Sequence, residues 1–315
     1  MVDTLSTLSA SDARFYDRNL LYRAEQALVA YDTGQKKNIP ANSGKNIYFR
    51  RYNALSVATT ALTEGVTPSA TALSQTEVTA SLSQYGAYCE LSDRLMLEGL
   101  DPNIAECTEI MGQQAGETID TLVFDEIDSG TSVIYANGSQ RSDVGATHVL
   151  TVALIRKGIR NLDRNNTMRF SGMKQNKKVG VGHYILMVHP NQVYDLVNDS
   201  EWKNHQQYSS PEKLYNGEIG EILGVRVVQS TLVPKYTAAG ASSADVYGAI
   251  MCGQHFFGVV DVAGTGKFKT VVKQLGSGGT EDPLEQRSTV GWKSTFVTKI
   301  LNNNFGVRIE TGVTG

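Results

Sequence analysis

From about Asp12 to Tyr31 the apolar residues Phe15, Leu20, Ala24, Ala27, Leu28 and Tyr31 approximate one helical face, with Ser11 as cap and Gly34 as stop. Asn46–Tyr52 (NIYFRRY) alternates its side chains and reads as a strand. Glu77–Ser83 alternates polar and apolar residues at the same period, and Thr63–Pro68 between them carries a turn signal. The pattern predicts a two-stranded arm with a loose tip. Asp101 and Pro102 then open a helix as cap and first residue, running to about Ile127. Its stripe is Cys107, Met111, Ala115, Ile119, Leu122 and Ile127. Such a helix is about twice the usual length. Beside a long hairpin it implies an extended, flattened subunit.

Ser129–Thr147 is rich in Gly, Ser, Asn and Asp and reads as a loop. A helix follows over about Thr151–Arg164, with Val152, Ile155, Ile159 and Leu162 on one face. His183–Val188 reads as a buried strand, and Pro190 opens a helix through about Val197. Gly224–Ser230 is a further strand, Val246–Val262 holds two around Gly253, and Phe268–Glu310 mixes short strands.

The arm has an unusual composition. Asn53–Ser83 contains no Lys, Arg, Asp or aromatic residue, and Thr and Ser supply 12 of its 31 positions. An isolated hairpin is marginal in water, so this one needs a second surface.

Across the chain, 41% hydrophobic and 19% charged residues are ordinary for a globular protein, and 315 residues suffice for a sizeable core. A net charge of −3 lacks the basic surplus of a dedicated nucleic-acid binder or a polybasic membrane anchor. Cys89, Cys107 and Cys252 are far apart in sequence and form no C-x-x-C pair, which predicts reduced thiols rather than a disulfide framework or zinc site. Met1–Ala10 has neither the basic patch nor the apolar core of a signal peptide, and no apolar stretch approaches a membrane span. Folding in a reducing cytosol is the expectation.

Catalytic patterns fail one by one. Gly266-Lys267 has Asp261 where a phosphate-binding loop needs its first glycine, and Phe268 where it needs Ser or Thr. Gly276–Gly279 lacks the third glycine of a dinucleotide fingerprint, and no G-x-S-x-G elbow exists. His148, His183, His189, His205 and His255 show no metalloprotease spacing, so structural roles are expected for His183 and His189. No catalytic, cofactor or metal site is expected. The densest basic stretch comprises Arg156, Lys157, Arg160, Arg164, Arg169, Lys174, Lys177 and Lys178. It reads as a solvated helix face and loop, or as a contact with packaged nucleic acid or an acidic neighbouring surface.

Several of these segments carry a family likeness. Asn46–Ser92 resembles the extended loop of tailed-bacteriophage major capsid proteins, and Asp101–Ile127 looks like their long spine helix. His183–Trp202 is similar to their strand–proline–helix passage, and Asn216–Ser230 to the segment that re-enters the sheet. Leu275–Lys293 resembles the C-terminal signature of the subfamily found in podophages of the N-four type. The likeness runs from about Arg18 to Glu310.

The resemblance implies an α+β chain with the Hong Kong 97-type capsid fold. The N-terminal arm is expected at 1–45, the extended loop at 46–90, and the axial domain at 145–262. The peripheral domain with its spine helix takes 91–144 and 263–315. The implied function is structural and not enzymatic: a coat protein assembling as hexamers and pentamers into an icosahedral head around double-stranded DNA. The alternative on the same fold is an encapsulin-like shell. The implied partners are further copies of the chain, a portal, a decoration protein and the packaged DNA through weak non-specific contact, without a membrane or cofactor. Only about ten residues precede the first expected helix, so a separate scaffolding protein is implied. Assembly in the bacterial cytoplasm and residence in the virion follow. Candidate intersubunit contacts are Arg50, Arg51, Glu64, Val66, Pro68 and Glu77. Some members of the fold join a loop lysine to a neighbour's asparagine, but residues 46–92 contain no lysine.

Overall fold

A computed structural model describes residues 20, 24, 28–40, 44–53, 55–62, 64–65, 67–98, 103–170, 182–208, 217–262, 268–276, 282–284 and 286–314. In chain order the elements are α1 (Ala30–Thr33), β1 (Gln35–Ile39), β2 (Asn46–Tyr52), β3 (Gln75–Ser81), β4 (Ser83–Ser92), α2 (Asp93–Glu98), α3 (Asn103–Asp128), β5 (Val133–Tyr135), α4 (Val152–Arg164), β6 (Tyr184–Val188), α5 (Pro190–Asn198), α6 (Ser200–Tyr208), β7 (Glu218–Ile222), β8 (Val225–Gln229), β9 (Lys235–Tyr236), β10 (Val246–Cys252), β11 (Phe257–Val262), β12 (Lys269–Lys273), β13 (Arg287–Ile300) and β14 (Gly306–Thr311).

Two sheets organise them. A seven-stranded sheet runs β5-β14-β10-β6-β8-β7, with β9 on β10. Every residue of β6 and β10 is buried. Their alternation sends Ile185, Met187, Ile250 and Cys252 into a core shared with α3, and Leu186, Val188, Ala249 and Met251 into a second core. That second core contains Ile155 and Leu162 of α4, Leu196 of α5 and Trp202 of α6. Strands covered on both faces need apolar residues at every position, which is why YILMV is continuous rather than alternating. The other sheet is five-stranded and centred on β13. That strand pairs with β4 over Arg287–Phe296, with β12 over Thr289–Lys293, and with β11 over Phe296–Ile300. β1 lies parallel to β11 at its edge.

The long helix forms as its stripe predicts, and its buried line runs through Ala115, Ile119, Val123, Phe124 and Ile127, leaving Leu122 only half-buried. The expected start at Asp101 and Pro102 lies outside the described residues.

Several readings are corrected. The helix expected over 12–31 is not continuous, because Leu28 and Val29 are non-helical and α1 begins afresh at Ala30. Its stretches at 12–19, 21–23 and 25–27, with Ser11, lie outside the described residues. The arm strand ends at Ser81 rather than Ser83, and β4 begins one residue beyond Leu82. The 129–147 loop contains β5 and a short turn at Arg141–Asp143. Phe268–Glu310 holds a 14-residue strand, β13, rather than only short ones. The two strands around Gly253 do form, but they enter different sheets. A Cβ at Gly253 would lie 2.3 Å from Thr167 Cγ2, so only glycine fits where the chain crosses between them.

Candidate assembly surface

β2 and β3 pair antiparallel in register from Asn46 opposite Ser81 to Tyr52 opposite Gln75. At the base, Ile47, Phe49, Ala80 and Leu82 are buried against Val260, with Val297 and Leu301 beside them. The hairpin is therefore not wholly unsupported: its inward face packs on its own domain. Asn53 closes the paired part, its N–H donating to the Ser74 carbonyl at 3.0 Å and its side chain bonding Ser74 and Thr76.

Beyond that clamp the support ends. Every described residue from Arg50 to Gln75 is exposed, including Val57 at 84%, Leu62 at 78% and Leu73 at 69%. Exposed aliphatic side chains concentrated on one loop are what an interaction surface requires. Burying each would return about 1.5–3 kcal/mol.

The candidate contact residues fall into different places. Arg50 and Glu77 face each other across the strands and form a 3.4 Å ion pair within the arm. Both remain exposed, so this pair contributes little by itself. Arg51 is exposed on β2. Glu64 sits in the tip turn beside Gly65, whose φ of +78° provides the reversal, and Pro68 follows exposed. Val66 lies outside the described residues.

Two buried polar clusters, neither evident from the sequence patterns, tie α3 to its neighbours. Asp120 projects from α3 and accepts the backbone N–H groups of Val29, Ala30 and Tyr31 at 3.1, 3.2 and 2.9 Å. It thereby satisfies the donors at the start of α1. Burial pushes its pKa up to about 6 despite those three bonds, with Asp32 adding to the rise. The available signal was spacing: Gly112, Gly116 and Asp120 recur every four residues. A Cβ at Gly112 would lie 2.6 Å from the Leu20 carbonyl oxygen, which shows how closely the N-terminal segment approaches α3.

The second cluster joins the end of α3 to the seven-stranded sheet. Fully buried Glu310 accepts from Arg141 at 2.7 and 2.8 Å and from Arg308 at 2.8 Å. Arg308 also pairs with Asp128 at 3.0 Å, and the Tyr236 hydroxyl bonds the same carboxylate. The Arg141 guanidinium stacks 3.3 Å from the centre of the Tyr236 ring. Its pKa is raised, chiefly by hydrogen bonding to Glu310.

On α4, Arg156, Lys157, Arg160 and Arg164 are exposed; Arg156 pairs with Glu201 at 2.9 Å. Arg169 pairs with Asp163, and Lys174, Lys177 and Lys178 lie outside the described residues. His189 caps α5, its Nδ1 accepting from Asn191 N–H, and packs 4.7 Å from the Tyr247 ring. His183 is buried, and desolvation pushes its pKa down to about 4. Among the described residues no group of three or more His, Cys, Asp or Glu side chains could hold a metal ion, and no helix is long and apolar enough to cross a membrane.

A family model described as phage capsid protein matches residues 75–309, most of the chain. This chain belongs to the phage capsid protein family.

The fold agrees with that membership. The capsid of Ralstonia phage GP4 superposes with a TM-score of 0.69 at 12% identity, covering 90% of this chain and 88% of that one. The cyanophage Pam1 capsid gives 0.65 at 14% identity, covering 87% of both. The SrpI encapsulin from Synechococcus elongatus gives a lower 0.56 at 7% identity, covering 90% and 86%. No curated protein matches. This phage capsid protein therefore has the Hong Kong 97-type fold, in an α+β arrangement. It is a structural protein of the virion head, built to assemble in many copies.

Proposed function

We propose that this chain is the major coat subunit of its virion, that it has no catalytic activity, and that its extended loop is the strap by which one subunit holds the next. The observation that carries this is the division of the loop into a base packed on its own domain and a tip whose described residues are all exposed. Ordering the tip costs about 1–2 kcal/mol per residue, which its own subunit does not offset. A neighbour supplies the missing surface, with Glu64 reaching a basic group there.

The shell is a set of hexamers and pentamers closed around double-stranded DNA. It assembles in the bacterial cytoplasm with a separate scaffolding protein, a portal and a decoration protein, and the exposed arginines of α4 contact packaged DNA weakly. In the domain layout, residues 1–45 form the N-terminal arm, 46–90 the extended loop, 91–144 and 263–315 the peripheral domain, and 145–262 the axial domain. The axial domain is built on the seven-stranded sheet, which also recruits β5 and β14 from outside that range, while β11 joins the peripheral sheet.

Replacing residues 55–73 with a short Gly-Ser turn tests the strap. The expected product is a folded subunit with near-unchanged circular dichroism that forms no shells with its scaffold. By contrast, Phe49→Ala, in the packed base, lowers subunit stability by about 3 kcal/mol. Shells forming at normal yield from the shortened chain would refute the strap. The encapsulin likeness supports a second reading, a compartment around a protein cargo. Nucleic acid inside purified particles decides against it.

A further inference from the structure

Cys89 and Cys107 are 18 positions apart in sequence, yet the fold brings them together. Cys89 lies on β4 in the alternating set Tyr85, Ala87, Cys89 and Leu91, all at least half-buried, while Gln84, Gly86, Tyr88 and Glu90 are exposed. Cys107 lies in the first turns of α3. Two contacts tie α3 to β13, the strand paired with β4. The Trp292 indole N–H donates to Gln114 at 3.2 Å, and the Ile300 N–H donates to Glu126 at 3.3 Å. Trp292 is paired with Ala87, and Val290 with Cys89. Met111, one turn after Cys107 on α3, packs on the same core as Ala87, two positions before Cys89 on the same face of β4. There the Cys107 thiol is within hydrogen-bonding reach of the Cys89 thiol. Both are partly accessible, whereas Cys252 is fully buried.

We propose that Cys89 and Cys107 form an oxidisable dithiol that staples the start of the spine helix to the strand carrying the extended loop. The oxidant is a small disulfide such as oxidised glutathione. One cysteine thiolate attacks the oxidant's S–S bond, forming a mixed disulfide and releasing one glutathione thiolate, which takes up the proton lost. The second cysteine then attacks the protein sulfur of that mixed disulfide, expelling the second glutathione. One S–S bond has broken and one has formed; the two protein thiols are oxidised and the glutathione disulfide is reduced to two thiols. Burial and the adjoining sulfur push Cys107 up to about 12, so exchange is slow at neutral pH and faster as pH rises. Resting on the virion reading, the staple stays open in a reducing cytosol and closes once particles reach an oxidising medium.

The test uses the full chain, as free subunits and as particles, incubated with oxidised glutathione and then denatured under thiol-blocking conditions. The expected result is one free thiol of the three, a chain mass lower by two hydrogens, and no increase in multimers. Cys89→Ser and Cys107→Ser each abolish the mass change, whereas Cys252→Ser keeps it. Oxidised wild-type particles melt at a higher temperature than reduced ones, and Cys107→Ser particles lose that difference. Three free thiols after prolonged oxidation, stable glutathione adducts, or bonding between chains would each overturn the staple. None of these outcomes bears on shell formation, so the capsid reading stands or falls separately.

Discussion

Asp120 carries a burden that a pH titration can measure. Its carboxylate is nearly enclosed between α3 and α1, and its partners are three backbone N–H groups rather than a cation. Asp32 adds further negative charge nearby, and the Tyr31 hydroxyl on the same segment is committed to Asp261. The carboxyl is consequently raised from 3.8 to about 6. A raised folded-state value means that the folded chain holds this proton more tightly than the unfolded chain. The corresponding stabilisation is complete below about pH 4 and is lost as pH rises through about 6. Its size is about 3 kcal/mol. Asp120→Asn retains an acceptor oxygen and removes the titration. Urea unfolding of the soluble subunit between pH 4 and 7 should show the wild type losing about 3 kcal/mol more than the variant across that window. Parallel stability curves would sink the reasoning. Asp120→Ala should be less stable at every pH, because it leaves buried N–H donors without an acceptor at about 1–3 kcal/mol each.

Glu310→Gln should cost about 3–5 kcal/mol in unfolding free energy, because Arg141 and Arg308 lose the fully buried charge they share. Gly112→Ala should loosen the N-terminal segment, read as faster limited proteolysis ahead of Leu28, because its Cβ meets the Leu20 backbone. Boiled, reduced particles should run as a single band near 34.2 kDa, since residues 46–92 offer no lysine amine for an isopeptide bond; a ladder of multimers would contradict this.

The elements that the sequence made legible are those whose signal is local. Pro190 and the apolar positions of α5, the stripe of α4 and the continuous apolar run of β6 each record a helix start, a helix face or a doubly covered strand in adjacent residues. The spine helix and paired arm were legible for the same reason. β4 was less so, because its inward set mixes Tyr85, Ala87 and Cys89 with only one buried leucine. The break at Leu28–Val29 was hidden because its compensation comes from Asp120, about ninety positions away. Only the register showed that two of the contact candidates, Arg50 and Glu77, pair with each other.

The sequence by itself determined the order of most elements and the charge-poor, apolar-tipped character of the arm, because these depend on neighbours a few residues away. Only the tertiary structure decided that β10 and β11 part at Gly253 into different sheets, and that the base of the arm packs while its tip stands free. It also decided that Glu310 gathers two arginines and that Cys89 meets Cys107. Each of these depends on the crossing of elements distant in sequence, and the apolar period of a strand or helix records that a face is buried without recording which partner buries it.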